Sequence, residues 1–116
     1  MTVTIHGIKN CNTMKKAFDW LAANGIAYDF HDYKKVPPSK AQLTRWCRTK
    51  GWETVLNRKG PTFRNQPDEA KANLNQTKAI DLMLSNPSMI KRPVLEADEA
   101  LEIGFKPEAY AALFGK

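Results

Sequence analysis

The first thirty-three residues narrow the possible folds more than any other part of the chain. Thr2 to Ile8 alternates apolar and polar side chains, the pattern of a half-buried strand. A polar turn, Lys9-Asn10-Cys11-Asn12, ends it. From Thr13 to Asn24 the spacing changes: Met14, Ala17, Phe18, Leu21 and Ala22 recur at three- and four-residue intervals, and Asn24-Gly25 is a stop signal for the helix this predicts. Ile26 to Tyr33 then resumes alternation, Ile26, Tyr28 and Phe30 against Ala27, Asp29 and His31. Strand, helix, strand in this order predicts a βαβ unit, with two parallel strands and a right-handed crossover.

The middle of the chain reads differently. Val36-Pro37-Pro38 breaks the strand, and Ser39 with Gln42 three residues later fits a capping box for a helix whose apolar stripe is Leu43, Trp46 and Cys47, reaching toward Lys50-Gly51. Trp52 to Asn57 continues irregularly or helically, Lys59-Gly60-Pro61 breaks the chain again, and Pro67 to Leu84 reads as one or two helices ending at Ser85-Asn86-Pro87. Strand character returns at Ile90 to Leu95, with Ala100 to Ile103 pairing to it across Glu96-Ala97-Asp98-Glu99 as a hairpin. Gly104-Phe105-Lys106-Pro107 leads into a last helix, Pro107 in its first turn and Tyr110, Leu113 and Phe114 inward. The order βαβ, helices, ββα predicts an α/β chain: a thioredoxin-like mixed sheet with an all-helical insertion between its halves. The expected organisation is a single domain over 1–116, with the sheet-bearing core at about 1–36 and 87–116 and the insertion at about 37–86.

At 116 residues and 42% hydrophobic content the chain suffices for one packed core. Its N-terminus lacks the progression of a signal peptide, and no apolar stretch approaches the ~20 residues of a membrane span, so a cytoplasmic protein with no membrane partner is expected. Two cysteines, Cys11 and Cys47, make no disulfide framework, and neither belongs to a CxxC or metal-ligand cluster, so no metal site is expected. The net charge of +6 leaves open nucleic acid, an acidic protein surface or a small anionic substrate. The basic residues occur as scattered pairs (Lys15-Lys16, Lys34-Lys35, Arg58-Lys59, Lys91-Arg92) without a long run or an RNA-binding aromatic motif, so a solvated basic surface is expected rather than nucleic-acid binding.

Cys11 carries the chemistry. A thiol handed from a strand to a helix start faces unpaired backbone N–H groups and the positive end of the peptide dipole, with Lys9, Lys15 and Lys16 nearby, and all favour the nucleophilic thiolate. Arg92-Pro93 is the second position of interest. A proline opening a strand that should lie centrally beside the first is awkward unless its peptide bond is cis, which leaves neighbouring backbone free to meet a substrate near Cys11; the alternative is an edge-strand or loop proline. Arg58, Arg64 and Lys106 are further cationic candidates, arginine being the better partner for an oxyanion or carboxylate. His6 is assigned to strand packing rather than to a base, and His31 has no visible partner. Cys47, on the apolar face of its helix, reads as a small buried hydrophobe, its alternative role being to resolve an oxidised Cys11.

The run Gly7-Ile8-Lys9-Asn10-Cys11-Asn12-Thr13-Met14-Lys15-Lys16-Ala17, with Lys91-Arg92-Pro93-Val94 and Gly104-Phe105-Lys106-Pro107, resembles the bacterial ArsC/Spx family, and within it the YffB-like branch. The resemblance covers essentially the whole chain. It implies a thioredoxin-like domain with a helical insertion, and a cis Pro93. In arsenate reductases of this family a cysteine attacks arsenate, three arginines hold the oxyanion, and glutathione with glutaredoxin regenerates the thiol. Arg92 matches the arginine before the proline, Arg58 the one in the insertion, and Lys106 stands at the third position, where a lysine keeps the charge but loses the planar fork. That departure counts against arsenate. Spx-type regulators carry a second cysteine three residues after the first, where this chain has Met14.

The resemblance and the residues together lead to a glutathione-dependent thiol/disulfide reductase with Cys11 as its single nucleophile. Lys9, Asn10, Asn12, Thr13, Arg58, Arg92, Pro93 and Lys106 are expected to bind substrate or glutathione, Asn12 and Thr13 through backbone N–H groups. Glutathione is expected as co-substrate with no tightly bound cofactor, glutaredoxin as a further partner, and an oxidised thiol or an oxyanion as substrate. The alternatives are an Spx-like noncatalytic regulator binding RNA polymerase or another protein, and arsenate reduction itself.

Overall fold

The computed structural model describes residues 2–116. The chain divides into two compact units, one joining the segment that ends at Val36 to Arg92–Lys116, the other formed by Pro37–Lys91.

In the first unit β1 (Val3–Gly7), α1 (Asn12–Ala23) and β2 (Asp29–Asp32) form the βαβ element, with β1 and β2 parallel and Ile5 opposite Phe30. β2 is shorter than the alternation from Ile26 to Tyr33 suggests. Ile26 closes the helix end instead, its N–H donating to the Leu21 carbonyl at 2.9 Å just after Gly25, which takes φ +66. β3 (Val94–Ala97) runs antiparallel on the other side of β1, and β4 (Ala100–Ile103) antiparallel beyond it, giving the order β2-β1-β3-β4. The β3–β4 turn is only Asp98-Glu99, with Asp98 at φ +53, so Glu96 and Ala97 belong to the strand rather than the turn. The last helix of the chain (Pro107–Phe114) starts at Pro107 as expected, where a missing N–H is no loss.

Alternation along β1 and β3 sends Val3, Ile5, Leu95 and Ala97 to one face of the sheet, where they meet Met14, Ala17 and Leu21 of α1 and Tyr110 of the last helix. All are nearly or fully buried, and this core fixes where α1 begins relative to the end of β1. Phe18, partly buried, stacks on Tyr28 with ring centroids 5.4 Å apart and meets Phe30 edge-on at 5.3 Å.

The second unit is helical. α2 (Lys40–Lys50) begins at Ser39 with the full reciprocal capping box: the Gln42 N–H donates to the Ser39 hydroxyl, and the Ser39 N–H donates to the Gln42 side chain. α3 (Trp52–Val55), α4 (Pro61–Arg64), α5 (Asp68–Lys71) and α6 (Gln76–Ser85) follow, then a 3-10 turn at Pro87–Met89; the last helix of the chain is thus α7. Leu43, Trp46, Cys47, Val55, Leu56, Phe63, Ala79, Ile80, Met83, Met89 and Ile90 are among its buried residues. Ile90, expected to open β3, instead bridges Leu56 in this unit, and the flanking N–H groups of Lys91 and Asn57 donate to Val55 and Met89 at 2.8 and 2.7 Å. The third strand therefore starts at Val94, after Pro93, which has no N–H to give a ladder.

Candidate active site around Cys11

Cys11 is the N-cap of α1. Its backbone is extended (φ −146, ψ 130), and its carbonyl already accepts from the Lys15 N–H at 3.0 Å, so the side chain sits at the open end of the helix. The thiol closes no capping hydrogen bond of ordinary geometry, and α1 has no acidic residue in its first turn to compete for the N–H groups there. Partial burial pushes the thiol up, but the N–H groups of Met14 and Thr13 and then the Arg92 guanidinium, acting by charge and by hydrogen bond, favour the thiolate more. The balance holds Cys11 below the usual cysteine range. The flanking lysines contribute less than their closeness in sequence suggests. Lys15 is turned onto Asp19, one helical turn on, at 2.7 Å, and the cation that acts on the sulfur is Arg92.

Arg92 immediately precedes the strand that lies beside β1, and it acts on Cys11 from there. The Arg92–Pro93 peptide bond is cis. Beside the sulfur an open hollow of about 480 Å³ is lined by Lys9, Asn10, Cys11, Asn12, Lys15, Phe18 and Asp19. Lys9, Asn10 and Asn12 are exposed around it, Thr13 is exposed in the first turn of α1, and Pro93 is buried. Lys106 belongs to the same unit as Cys11, exposed at the N-cap of α7. Arg58 belongs to the other unit, where it is exposed with its guanidinium 5.5 Å from the centre of the Trp52 ring. Arg64 ends α4, also exposed.

Cys47 is a different kind of thiol. It is 2% exposed near the end of α2, and burial, with Glu53 adding, pushes it up to about 11. At neutral pH it is an un-ionised apolar filler, a poor candidate for attack on any disulfide.

Sequence reasoning did not find what stands behind Arg92. On the sheet face away from α1, His6 is 3% exposed and its Nε2 donates to Glu96 Oε1 at 2.7 Å, while its ring meets His31 edge-on at 5.0 Å. Tyr33, just past β2, is 1% exposed, and its hydroxyl meets no hydrogen-bond partner among the described residues. Burial raises its phenol far above the usual range, with Arg92 opposing and Glu96 adding to the shift. Tyr33 thus feels the charges of Arg92 and Glu96 although the three are scattered in the chain; the signal that could have found them is the strand register, His6 opposite His31 and Val94.

Among the described residues no group of side chains could hold a metal ion, and no helix is long and apolar enough to cross a membrane.

Residues 6–113 match the model of the ArsC family. The chain is 38% identical to an uncharacterized protein of Haemophilus influenzae (strain ATCC 51907 / DSM 11121 / KW20 / Rd), over 97% of this chain and 98% of that one. Among solved structures it is similar to the YffB protein (PA3664), at 57% identity and TM-score 0.94 over 96% of this chain and 97% of the other. It is also similar to an arsenate reductase (ArsC) related protein from Brucella melitensis, at 54% identity and TM-score 0.78 over 98% and 95%. These likenesses bear out the thioredoxin-like mixed sheet expected from the order of elements.

Proposed function

The chain belongs to the ArsC family, and from that premise we propose that it is a glutathione-dependent thiol oxidoreductase with Cys11 as nucleophile. The observation that carries this reading is the Cys11 sulfur itself, facing the N–H groups of Met14 and Thr13 with the Arg92 guanidinium beside it and held as thiolate more readily than an ordinary cysteine.

The cycle runs by thiol–disulfide exchange. The Cys11 thiolate attacks one sulfur of a disulfide; the new bond joins Cys11 to that sulfur, the old S–S bond breaks, and the other half leaves as a thiolate that takes a proton from water. A glutathione thiolate then attacks the substrate-derived sulfur and regenerates Cys11. Where the first disulfide carries glutathione and Cys11 takes that sulfur, the second step releases oxidised glutathione, so one reduced glutathione is consumed for each substrate thiol freed. The backbone donors and Arg92 act at both steps, stabilising Cys11 whenever it carries the negative charge. Lys9 and Lys106, both exposed, supply positive charge for glutathione carboxylates. Such a cycle requires a reducing, glutathione-containing compartment, which suits the cytoplasm.

The position three residues after Cys11 is Met14, fully buried, so no neighbouring thiol can intercept the mixed disulfide. That supports a cycle completed by an outside thiol. Mass spectrometry after treatment with oxidised glutathione tests it: one glutathione is expected on Cys11 in the parent and in Cys47→Ala, and none in Cys11→Ser. A Cys11–Cys47 disulfide, or no adduct at all, overturns the external-thiol cycle. Turnover of arsenate with glutathione and glutaredoxin, in the absence of any disulfide turnover, would assign the site to the oxyanion instead.

A further inference from the structure

The side chains of β1 that face α1 form a row, Val3, Ile5 and, at the next alternate position, Gly7. The first two are core members; at the third there is no room for a side chain. A Cβ on Gly7 would overlap Met14 Sδ and stand 2.6 Å from its Cε and 3.5 Å from its Cγ. Gly7 is not among the glycines with positive φ, so the position needs glycine for space and not for backbone conformation. The atoms met are the far end of a flexible side chain, so it is the packing around them that limits their retreat. The Gly7 carbonyl accepts from the Tyr33 N–H at 2.7 Å, tying the end of β1 to the chain just after β2, and the Met14 side chain is fully buried among Ile5, Ala17, Leu21 and Leu95. Met14 is also the residue whose backbone N–H acts most strongly among those drawn to the Cys11 sulfur.

Resting on the reading of Cys11 as the reactive centre, we propose that Gly7 and Met14 are a matched positioning pair: the thioether packed into the space a side chain at Gly7 would fill sets the first turn of α1, and so holds the Met14 N–H against the Cys11 sulfur. Met14 then has two roles. Its side chain takes the place of a second thiol, and its backbone activates the first. A methyl on Gly7 pushes the thioether and the first turn of α1 away; removing the thioether leaves that turn slack. Either change loosens the same N–H···S contact, from opposite directions.

The test is the pH midpoint of Cys11 alkylation by iodoacetamide, read by mass spectrometry in the full chain, with circular dichroism as the check on folding. Gly7→Ala and Met14→Ala are each expected to raise the midpoint by about one pH unit, cutting the alkylation rate below it about tenfold. The double variant, in which the methyl added by Gly7→Ala refills part of the space the thioether leaves, is expected to return closer to the parent than either single variant. Should Gly7→Ala not fold, Met14→Ala decides the matter alone. A folded Met14→Ala with the parent midpoint, or a double variant shifted by the sum of the two singles, overturns the pair as a positioning device and leaves it as packing. Disulfide turnover plays no part in this readout, so a parent protein with a low midpoint and no reductase activity would sink the function proposed above while leaving the pair standing.

Discussion

The two cysteines occupy opposite ends of comparable helices, and nearly everything about them is reversed. Cys11 precedes the first turn of α1, where backbone N–H groups have no partner within the helix; Cys47 lies near the end of α2, where its own carbonyl accepts from the Gly51 N–H at 2.7 Å. The neighbouring charge for Cys11 is the Arg92 cation, and for Cys47 it is Glu53. Burial pushes both thiols up, but only at Cys11 do donors and a cation more than offset it. The helix starts differ in the same sense. Ser39 and Gln42 close the orphan donors of α2 with a reciprocal box, while α1 leaves its donors to a sulfur that closes no ordinary cap. One helix end is completed for stability; the other is left incomplete around a thiol held below the usual cysteine range.

The sharpest way to break this comparison is differential labelling. At pH 7 a thiol at about 11 is only about one part in ten thousand thiolate, whereas even an ordinary cysteine at 9.0 is about one part in a hundred, and Cys11 lies below that value. The less basic thiolate is also the weaker nucleophile, which takes back part of this ratio, so Cys11 is expected to react with iodoacetamide at least about tenfold faster than Cys47 in the folded protein, before the shielding of Cys47 is counted. Quantified peptide by peptide, comparable rates would erase the distinction between the two thiols. In denaturant the ratio is expected to collapse toward unity.

A smaller effect separates the helix end from the arginine. Removing a cation beside a thiolate raises its pKa, so Arg92→Ala is expected to move the Cys11 alkylation midpoint up by about one unit, with about tenfold slower reaction at neutral pH and recovery above the midpoint. Arg92→Lys should fall between, keeping the charge but not the guanidinium hydrogen bond. An unmoved midpoint in Arg92→Ala would assign the whole activation to the Met14 and Thr13 donors.

What could be read in advance were the features whose causes are local. The Ser39 box, the handover from strand to helix at Cys11 and Pro107 at a helix start each leave a mark within a few residues. Features whose causes lie elsewhere in the chain left no such mark. Ile90 has the composition of a strand residue, but its partner is Leu56, so β3 begins four residues later than the pattern suggests. α4 is a single turn, too short for any period to show. The charges around Tyr33, Glu96, His6 and Arg92 arise only when β2, β1 and β3 lie side by side, and no spacing along the chain announces them.

The smallest expected effects, on stability, sharpen the contrast between the two helix starts because they should have opposite signs. Ser39→Ala removes the hydroxyl half of the α2 box, leaving the Ser39 backbone N–H to the Gln42 side chain, and is expected to cost about 1 kcal/mol, seen as a lower urea midpoint, with Cys11 alkylation unchanged. Cys11→Ser does the reverse. Serine is a favoured N-cap whose hydroxyl can accept from the donors that the sulfur leaves without an ordinary hydrogen bond, so this variant should be about 0.5 kcal/mol more stable at low pH, where the Cys11 thiol of the parent is neutral. The sign at higher pH follows from the depressed thiol: ionised Cys11 stabilises the folded parent as pH rises from its folded pKa toward the ordinary cysteine value of 9.0, and loses that contribution as pH falls. The advantage of Cys11→Ser should therefore shrink across that window. A Cys11→Ser chain less stable than the parent even in acid would mean that the end of α1 is satisfied by the neutral thiol, and the asymmetry between the two helix starts would disappear.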